Sequence, residues 1–127
     1  MPRQINGQHL VIVEDDPLIR ETLMHYFGDR NVVTTYPSAE DIIAVEGQLQ
    51  AVNVFIFDYK LPGKDGISLF QYFRPKFPTS KFILITGEMS YEMAEKTLTL
   101  GLDALILKPF DFSILEDNIA GLTSAAA

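Results

Sequence analysis

Val54-Phe55-Ile56-Phe57-Asp58 is a run of four β-favouring apolar residues closed by a carboxylate, and Tyr59-Lys60-Leu61-Pro62-Gly63 follows at once. A run this apolar predicts a strand buried on both faces, as in a parallel sheet with helices above and below. The Pro-Gly pair is a turn signal, so the strand stops near Asp58. A carboxylate without a partner is costly in mid-core, whereas the C-terminal end of a strand opens into the crevice where open α/β sheets place their ligands. Read alone, Asp58 serves equally well as a turn residue bonding its own backbone. Its neighbours in space must decide.

The pattern on either side alternates. Leu10 to Val13 is an apolar strand ending in Glu14-Asp15-Asp16, and Pro17 stands at the favoured first position of a helix with Asp16 as its N-cap. Ile19, Leu23 and Phe27 recur on one helical face before Gly28 ends it. Val32 to Thr35 is a shorter, less apolar strand suited to a sheet edge. Ser38 caps a second helix through about Gln48, with Ile42, Ile43 and Val45 inward and Asp41 completing an approximate capping pair. Beyond Asp58, a helix over 66–74 buries Leu69, Phe70 and Phe73 until Pro75 and Pro78 stop it. Phe82 to Ile85 is a fourth strand ending at Thr86-Gly87, and Ser90 caps a fourth helix that runs to Leu100 with Gly101 at its C′ position. Ala104 to Leu107 is a fifth strand ending at Lys108-Pro109, and Asp111 caps a last helix carrying Ile114, Leu115 and Ile119. Five strands alternating with five helices predict a doubly wound, five-stranded parallel α/β sheet. Right-handed crossovers favour the flavodoxin-like order 2-1-3-4-5.

Composition narrows the function classes. The chain has 127 residues, 47% of them apolar and 21% charged, which suits one ordinary globular domain. A net charge of −7 argues against nucleic acid or an anionic membrane as a direct partner. Without cysteine there is no disulfide, thiol chemistry or Cys-ligated metal. No apolar stretch reaches the roughly 20 residues that span a bilayer, and the first residues lack a signal-peptide core. The expected location is the cytoplasm.

In a parallel sheet the ends of strands one, three, four and five share one edge. That edge gathers Glu14, Asp15, Asp58, Thr86 and Lys108: three carboxylates, a hydroxyl and an ammonium. Two like charges ~4 Å apart repel by about 4 kcal/mol at an effective dielectric of about 20. Either one acid is protonated or a cation sits among them. An all-oxygen cluster without His or Cys suits a hard ion, Mg2+ above all, which also binds phosphate. Asp58 would then be a carboxylate nucleophile toward phosphorus, with Lys108, the metal and the Thr86 hydroxyl meeting charge on the equatorial oxygens. Each residue also has a plain reading. Glu14 and Asp15 would suit the positive end of a helix dipole, Thr86 an ordinary strand, Lys108 the surface. Asp16 is a cap, His9 and His25 are structural, and Phe55, Phe57 and Phe82 are core.

Ile12-Val13-Glu14-Asp15-Asp16, Phe57-Asp58-Tyr59-Lys60-Leu61-Pro62-Gly63-Lys64-Asp65-Gly66, Ile85-Thr86-Gly87 and Leu107-Lys108-Pro109-Phe110, in this order, resemble the receiver (response-regulator) domains of two-component phosphorelay signalling. The resemblance covers Leu10 to about Leu122, which sets an expected receiver domain at 8–122 and a tail at 123–127, either a linker or a cloning remnant. It implies that Asp58 accepts a phosphoryl group from a sensor histidine kinase or a histidine phosphotransfer protein. It implies an Mg2+ site made by Asp15 directly, Glu14 through water, Asp58 and the Lys60 backbone carbonyl. Lys108 would touch the phosphoryl group, Thr86 would move as the switch, and the Lys108–Pro109 peptide would be cis. A downstream effector domain or protein would read the face of the fourth helix, fifth strand and fifth helix, and a homodimer through that face stays open. Leu105 departs from the family, which usually carries Tyr or Phe there, so Thr–aromatic coupling is in question. Leu100, Leu102 and Leu105 are expected as an exposed apolar surface for partners. Lys60 and Glu88, two residues beyond Asp58 and Thr86, flank the water path and are expected to interact and to tune the phosphoryl lifetime.

Two other readings compete. A haloacid-dehalogenase-like phosphatase also uses a strand-end Asp with Mg2+, Thr and Lys, but it needs a second Asp where this chain has Lys60. A receiver-fold docking module with weak phosphorylation is kept open by Leu105. The domain is expected to catalyse only its own phosphoryl uptake and hydrolysis. A nucleotide or flavin carrier lacks its Gly-rich loop after the first strand.

Overall fold

The computed structural model describes residues 4–88 and 90–124. Strands β1 (His9–Val13), β2 (Val32–Tyr36), β3 (Val54–Asp58), β4 (Lys81–Thr86) and β5 (Ala104–Leu107) form one sheet in the order β2-β1-β3-β4-β5. Every pairing is parallel. Between the strands run helices α1 (Pro17–Phe27), α2 (Ala39–Ala44), α3 (Gly66–Phe73) and α4 (Tyr91–Leu100), and α5 (Phe112–Thr123) follows β5. This is the expected doubly wound, flavodoxin-like architecture.

Alternation along the central strands builds two cores of different character. Leu10 and Ile12, Val54 and Ile56, Ile83 and Ile85 point to one face, where Leu23 and Phe27 of α1 and Leu115 and Ile119 of α5 cover them. Val11 and Val13, Phe55 and Phe57, Phe82 and Leu84 point to the other, under Ile42 of α2, Leu69, Phe70 and Phe73 of α3 and Met93 of α4. That second core is aromatic. The rings of Phe55 and Phe82 lie 4.9 Å apart and 8° from coplanar, and Phe73 stacks on Phe55 at 5.5 Å. All five residues of β3 are buried, which explains why the sequence shows no polar alternation there.

The caps act largely as their residue types dictate. Asp16 accepts from Leu18 N–H, Ser38 from Asp41 N–H and Ser90 from Met93 N–H, while Gly101 takes the left-handed conformation, φ +80°, that ends α4. Four expectations need correction. The second helix closes at Ala44, and Glu46–Gln48 continues as a 3₁₀ turn that starts from Val45, a β-branched residue outside helical geometry. Asp111 stands at the N-cap of α5 without a side-chain cap bond, and Ile114 on that helix is exposed. Leu100, Leu102 and Leu105 are half-buried against the aromatic core, because Leu105 shares the face of its register partner Leu84 and the turn from α4 into β5 packs Leu100 and Leu102 beside it. Among the described residues of α4 and β5, the large apolar side chains that do stand out are Tyr91, Leu98 and Leu107.

Packing begins ahead of β1. Ile5 is buried in the core under α1 and α5; its N–H donates to Glu116 Oε2 and its carbonyl accepts from Asn31 Nδ2, at 3.0 and 3.1 Å. At the other end α5 runs through Thr123 with Ser124 as C-cap, and residues 125–127 of the expected tail lie outside the described residues.

Candidate functional site

Register places the strand ends side by side. Val13 of β1 pairs with Phe57, Asp58 with Ile85, and Thr86 with Leu107, so Glu14, Asp58, Thr86 and Lys108 emerge along one rim. The rim is sewn by backbone bonds that outlast the strands: Glu14 N–H to Tyr36 O at 3.0 Å, Tyr59 N–H to Ile85 O at 2.7 Å, and Lys108 N–H to Thr86 O at 2.7 Å. The turn after Asp58 folds back tightly, since Gly66 N–H donates to Tyr59 O at 2.8 Å. A Cβ on Gly66 would stand 2.4 Å from the Asp58 carbonyl oxygen and 2.7 Å from Leu84 Cδ1, so only glycine fits against the back of the Asp58 backbone.

Each of Glu14, Asp15 and Asp58 offers a carboxylate oxygen within 4.8 Å of the other two; Glu14 and Asp58 are buried and Asp15 is exposed. Lys108 Nζ bridges the buried pair, 3.2 Å from Glu14 Oε1 and 3.1 Å from Asp58 Oδ2. Burial raises the Glu14 pKa from 4.5 to about 7, with the Asp58 charge adding to the rise; the Asp16 N–H and the Lys108 charge pull it back only in part. For Lys108 burial works against the charge, but its hydrogen bonds and Coulomb attraction to Asp58 and Glu14 prevail and hold its pKa above the usual lysine value. One ammonium thus faces two buried acids and a third at the mouth. A donor set of oxygens alone, with surplus negative charge and one open side, fits a hard divalent cation such as Mg2+.

Thr86 is buried at the same rim, but its hydroxyl is turned to the backbone of Glu88, donating to the carbonyl and accepting from the N–H, both at 3.1 Å. The expected convergence therefore holds for the carboxylates and the ammonium, while the hydroxyl is spent on the β4–α4 turn. Lys60 Nζ and Glu88 Oε1 meet at 2.9 Å in an exposed ion pair that joins the turns after β3 and β4. The Lys108–Pro109 peptide is cis. Leu105 lies half-buried on β5 against the aromatic core. His9 bonds Gln50 O and Thr34 Oγ1 at the opposite end of the sheet, in a structural role.

Sequence reasoning missed three features, two beside the site and one at the opposite end of the sheet. Asp65 caps α3 by accepting from Ser68 N–H at 2.8 Å; an Asp just before the Gly66 helix was the available signal. Arg20 Nη1 donates to the carbonyls of Glu14 and Asp15, at 2.9 and 3.1 Å. Arg74 Nη2 donates to Asp103 Oδ2 at 3.0 Å and to Gly101 O at 2.8 Å, and its guanidinium lies over the rings of Phe70 and Phe82, tying α3 to the turn after α4. Neither arginine contact had a local sequence signature.

Residues 10–120 match the family model of the response regulator receiver domain, with the acid pocket, Thr86 and Lys108 all inside the match. The chain belongs to that family. Among curated relatives, this receiver domain is 27% identical over 114 residues to the two-component response regulator PhoP of Pseudomonas aeruginosa, covering 89% of this chain and 50% of the relative. It is 33% identical over 107 residues to the transcriptional regulatory protein AruR of the same organism, covering 80% and 43%. The chain thus spans about half the length of the curated relatives it matches. Among solved structures, the receiver domain of the Francisella response regulator 1452 superposes with a TM-score of 0.84 at 20% identity, covering 95% of this chain and 100% of that one. A receiver domain described as BeF3-activated DrrB superposes with a TM-score of 0.83 at 23% identity, over 93% and 98% of the two chains. At these identities the superpositions speak for the fold.

Proposed function

We propose that this receiver domain is a phosphoryl-accepting switch in a two-component phosphorelay, with Asp58 as the acceptor. The observation that carries the reading is the bridged acid pocket: a buried Asp58 carboxylate held 3.1 Å from Lys108 Nζ, beside Glu14 and within reach of Asp15. A phosphohistidine on a sensor kinase or a histidine phosphotransfer protein is the donor. An Asp58 oxygen attacks phosphorus, the P–N bond breaks, the imidazole nitrogen leaves with the bonding pair, and an aspartyl phosphate remains.

Glu14, Asp15 and Asp58, with the Lys60 backbone carbonyl, are the residues that would hold Mg2+. Bound there, the ion neutralises the acids and the equatorial oxygens of the transferring group. Lys108 already spans the acceptor, so its ammonium meets the same developing charge without crossing the pocket. Thr86 must give up its Glu88 bonds to donate to a phosphoryl oxygen, and that exchange couples the site to the turn ahead of α4. Leu105 offers no hydroxyl to that exchange, so its share in the switch is packing alone. Lys60 and Glu88 arch beside the pocket and set water access to the aspartyl phosphate. The phosphorylated state is read through the α4–β5–α5 face by an effector domain or protein, in the cytoplasm, from a unit that spans residues 8–122.

Incubation with acetyl phosphate and Mg2+ tests the reading. Wild type gains one phosphoryl group and Asp58→Asn gains none. Uptake by neither protein favours a docking module, and sustained turnover of phosphomonoesters favours a phosphatase.

A further inference from the structure

The β1–α1 loop has two backbone carbonyls that secondary structure leaves without a partner. Glu14 N–H is taken by β2, and Asp16 O accepts from Arg20 N–H as the first bond of α1, but Glu14 O and Asp15 O precede the helix and Pro17 has no N–H to turn toward them. One side chain reaches both. Arg20 Nη1 lies 2.9 Å from Glu14 O and 3.1 Å from Asp15 O.

The consequence runs through the peptide plane. In a trans peptide the C=O and the following N–H point in opposite directions, and the bond between Asp15 and Asp16 is trans. With Asp15 O held on the Arg20 side, Asp16 N–H is aimed the other way, where it donates to Glu14 Oε2 at 3.1 Å. Glu14 Oε1 in turn accepts from Lys108 Nζ, which also holds Asp58. A continuous chain thus runs from the Arg20 guanidinium through one peptide to the Glu14 carboxylate, then to Lys108 and Asp58. Both Glu14 oxygens are fixed by it, and the backbone from which Asp15 projects is clamped by the same nitrogen.

The geometry points to Arg20 as a positioning residue for the acid pocket: by pinning the Glu14 and Asp15 carbonyls it sets the direction of the carboxylates that take a divalent cation. Arg20 itself stands behind the loop as a supporting contact, and loss of such contacts commonly costs 10–100-fold in metal affinity. The inference rests on reading the pocket as a cation site, so the test has one arm with Mg2+ and one without.

Arg20→Met keeps the aliphatic stem and removes the donors, Arg20→Gln is a second such variant should the first fold poorly, and Arg20→Lys restores a charged donor. In metal-free protein the Asp16 amide resonance, which reports the bond to Glu14, shifts and exchanges faster in the Met and Gln variants and returns toward wild type in the Lys variant. Titration with Mg2+ shows affinity weakened about tenfold or more in Met and Gln and largely rescued in Lys. An unchanged Asp16 amide, or Mg2+ affinity within about twofold of wild type, overturns the assignment. Should wild type bind no Mg2+, the cation reading falls by itself, and the Asp16 amide alone decides the role of Arg20.

Discussion

Glu14 is the residue whose chemistry the fold alters most. A carboxyl whose pKa rises from 4.5 to about 7 is favoured in its protonated form by folding, so its contribution is complete below the unfolded value and is lost as pH climbs through the folded one. The loss is on the order of 3 kcal/mol. Urea unfolding of metal-free protein will therefore show stability falling between about pH 4.5 and 7, and Glu14→Gln will remove most of that slope. Saturating Mg2+ will remove it too, by favouring the ionised form. Lys60 and Glu88 operate at the same scale but on rate. With the pair 2.9 Å apart beside the pocket, Lys60→Ala and Glu88→Ala will each shorten the aspartyl phosphate lifetime several-fold, as followed by loss of radiolabel. Equal lifetimes in all three proteins would remove the pair from the account.

The elements are held at both ends of the sheet by a few tight contacts rather than by bulk alone. Gly66→Ala must push its Cβ against the Asp58 carbonyl at 2.4 Å, and the expected cost is about 1–3 kcal/mol in urea unfolding, with weaker Mg2+ binding because Asp58 moves. Asp103→Ala would strand the Phe82 N–H that it accepts at 2.8 Å and unpair Arg74, costing about 2 kcal/mol by the same measurement. These contacts also mark where the sequence stopped being legible. β3 and β4 could be read because burial on both faces leaves an unbroken apolar run, and α1 because Asp16-Pro17 and Gly28 bracket a 3.6-residue period. The premature end of α2 was hidden, since Ala44-Val45-Glu46 continues a plausible helical pattern and only tertiary packing decides between an α and a 3₁₀ turn. Leu100, Leu102 and Leu105 misled for a related reason. Apolar residues at a helix end and on the last-added strand read as surface until the face of β5 that meets the aromatic core is known.

At the scale of the whole molecule, a parallel sheet brings residues from positions 14, 58, 86 and 108 to one rim, and that juxtaposition was readable because strand ends are fixed by topology. Side-chain directions at the rim were not readable. The turn of Thr86 toward Glu88 and the grip of Arg20 on the β1–α1 loop depend on which backbone groups the fold leaves unpaired. The net charge of −7 with three acids in one pocket also predicts a global response: Mg2+ at about 100 times its dissociation constant will stabilise the fold by about 2.7 kcal/mol, and Asp58→Asn will weaken that response. The most direct measurement remains the intact mass of the domain after incubation with acetyl phosphate and Mg2+. A gain of one phosphoryl group in wild type, absent in Asp58→Asn and after chelation of the metal, is the predicted result; an unchanged wild-type mass, or equal gain in Asp58→Asn, would contradict it.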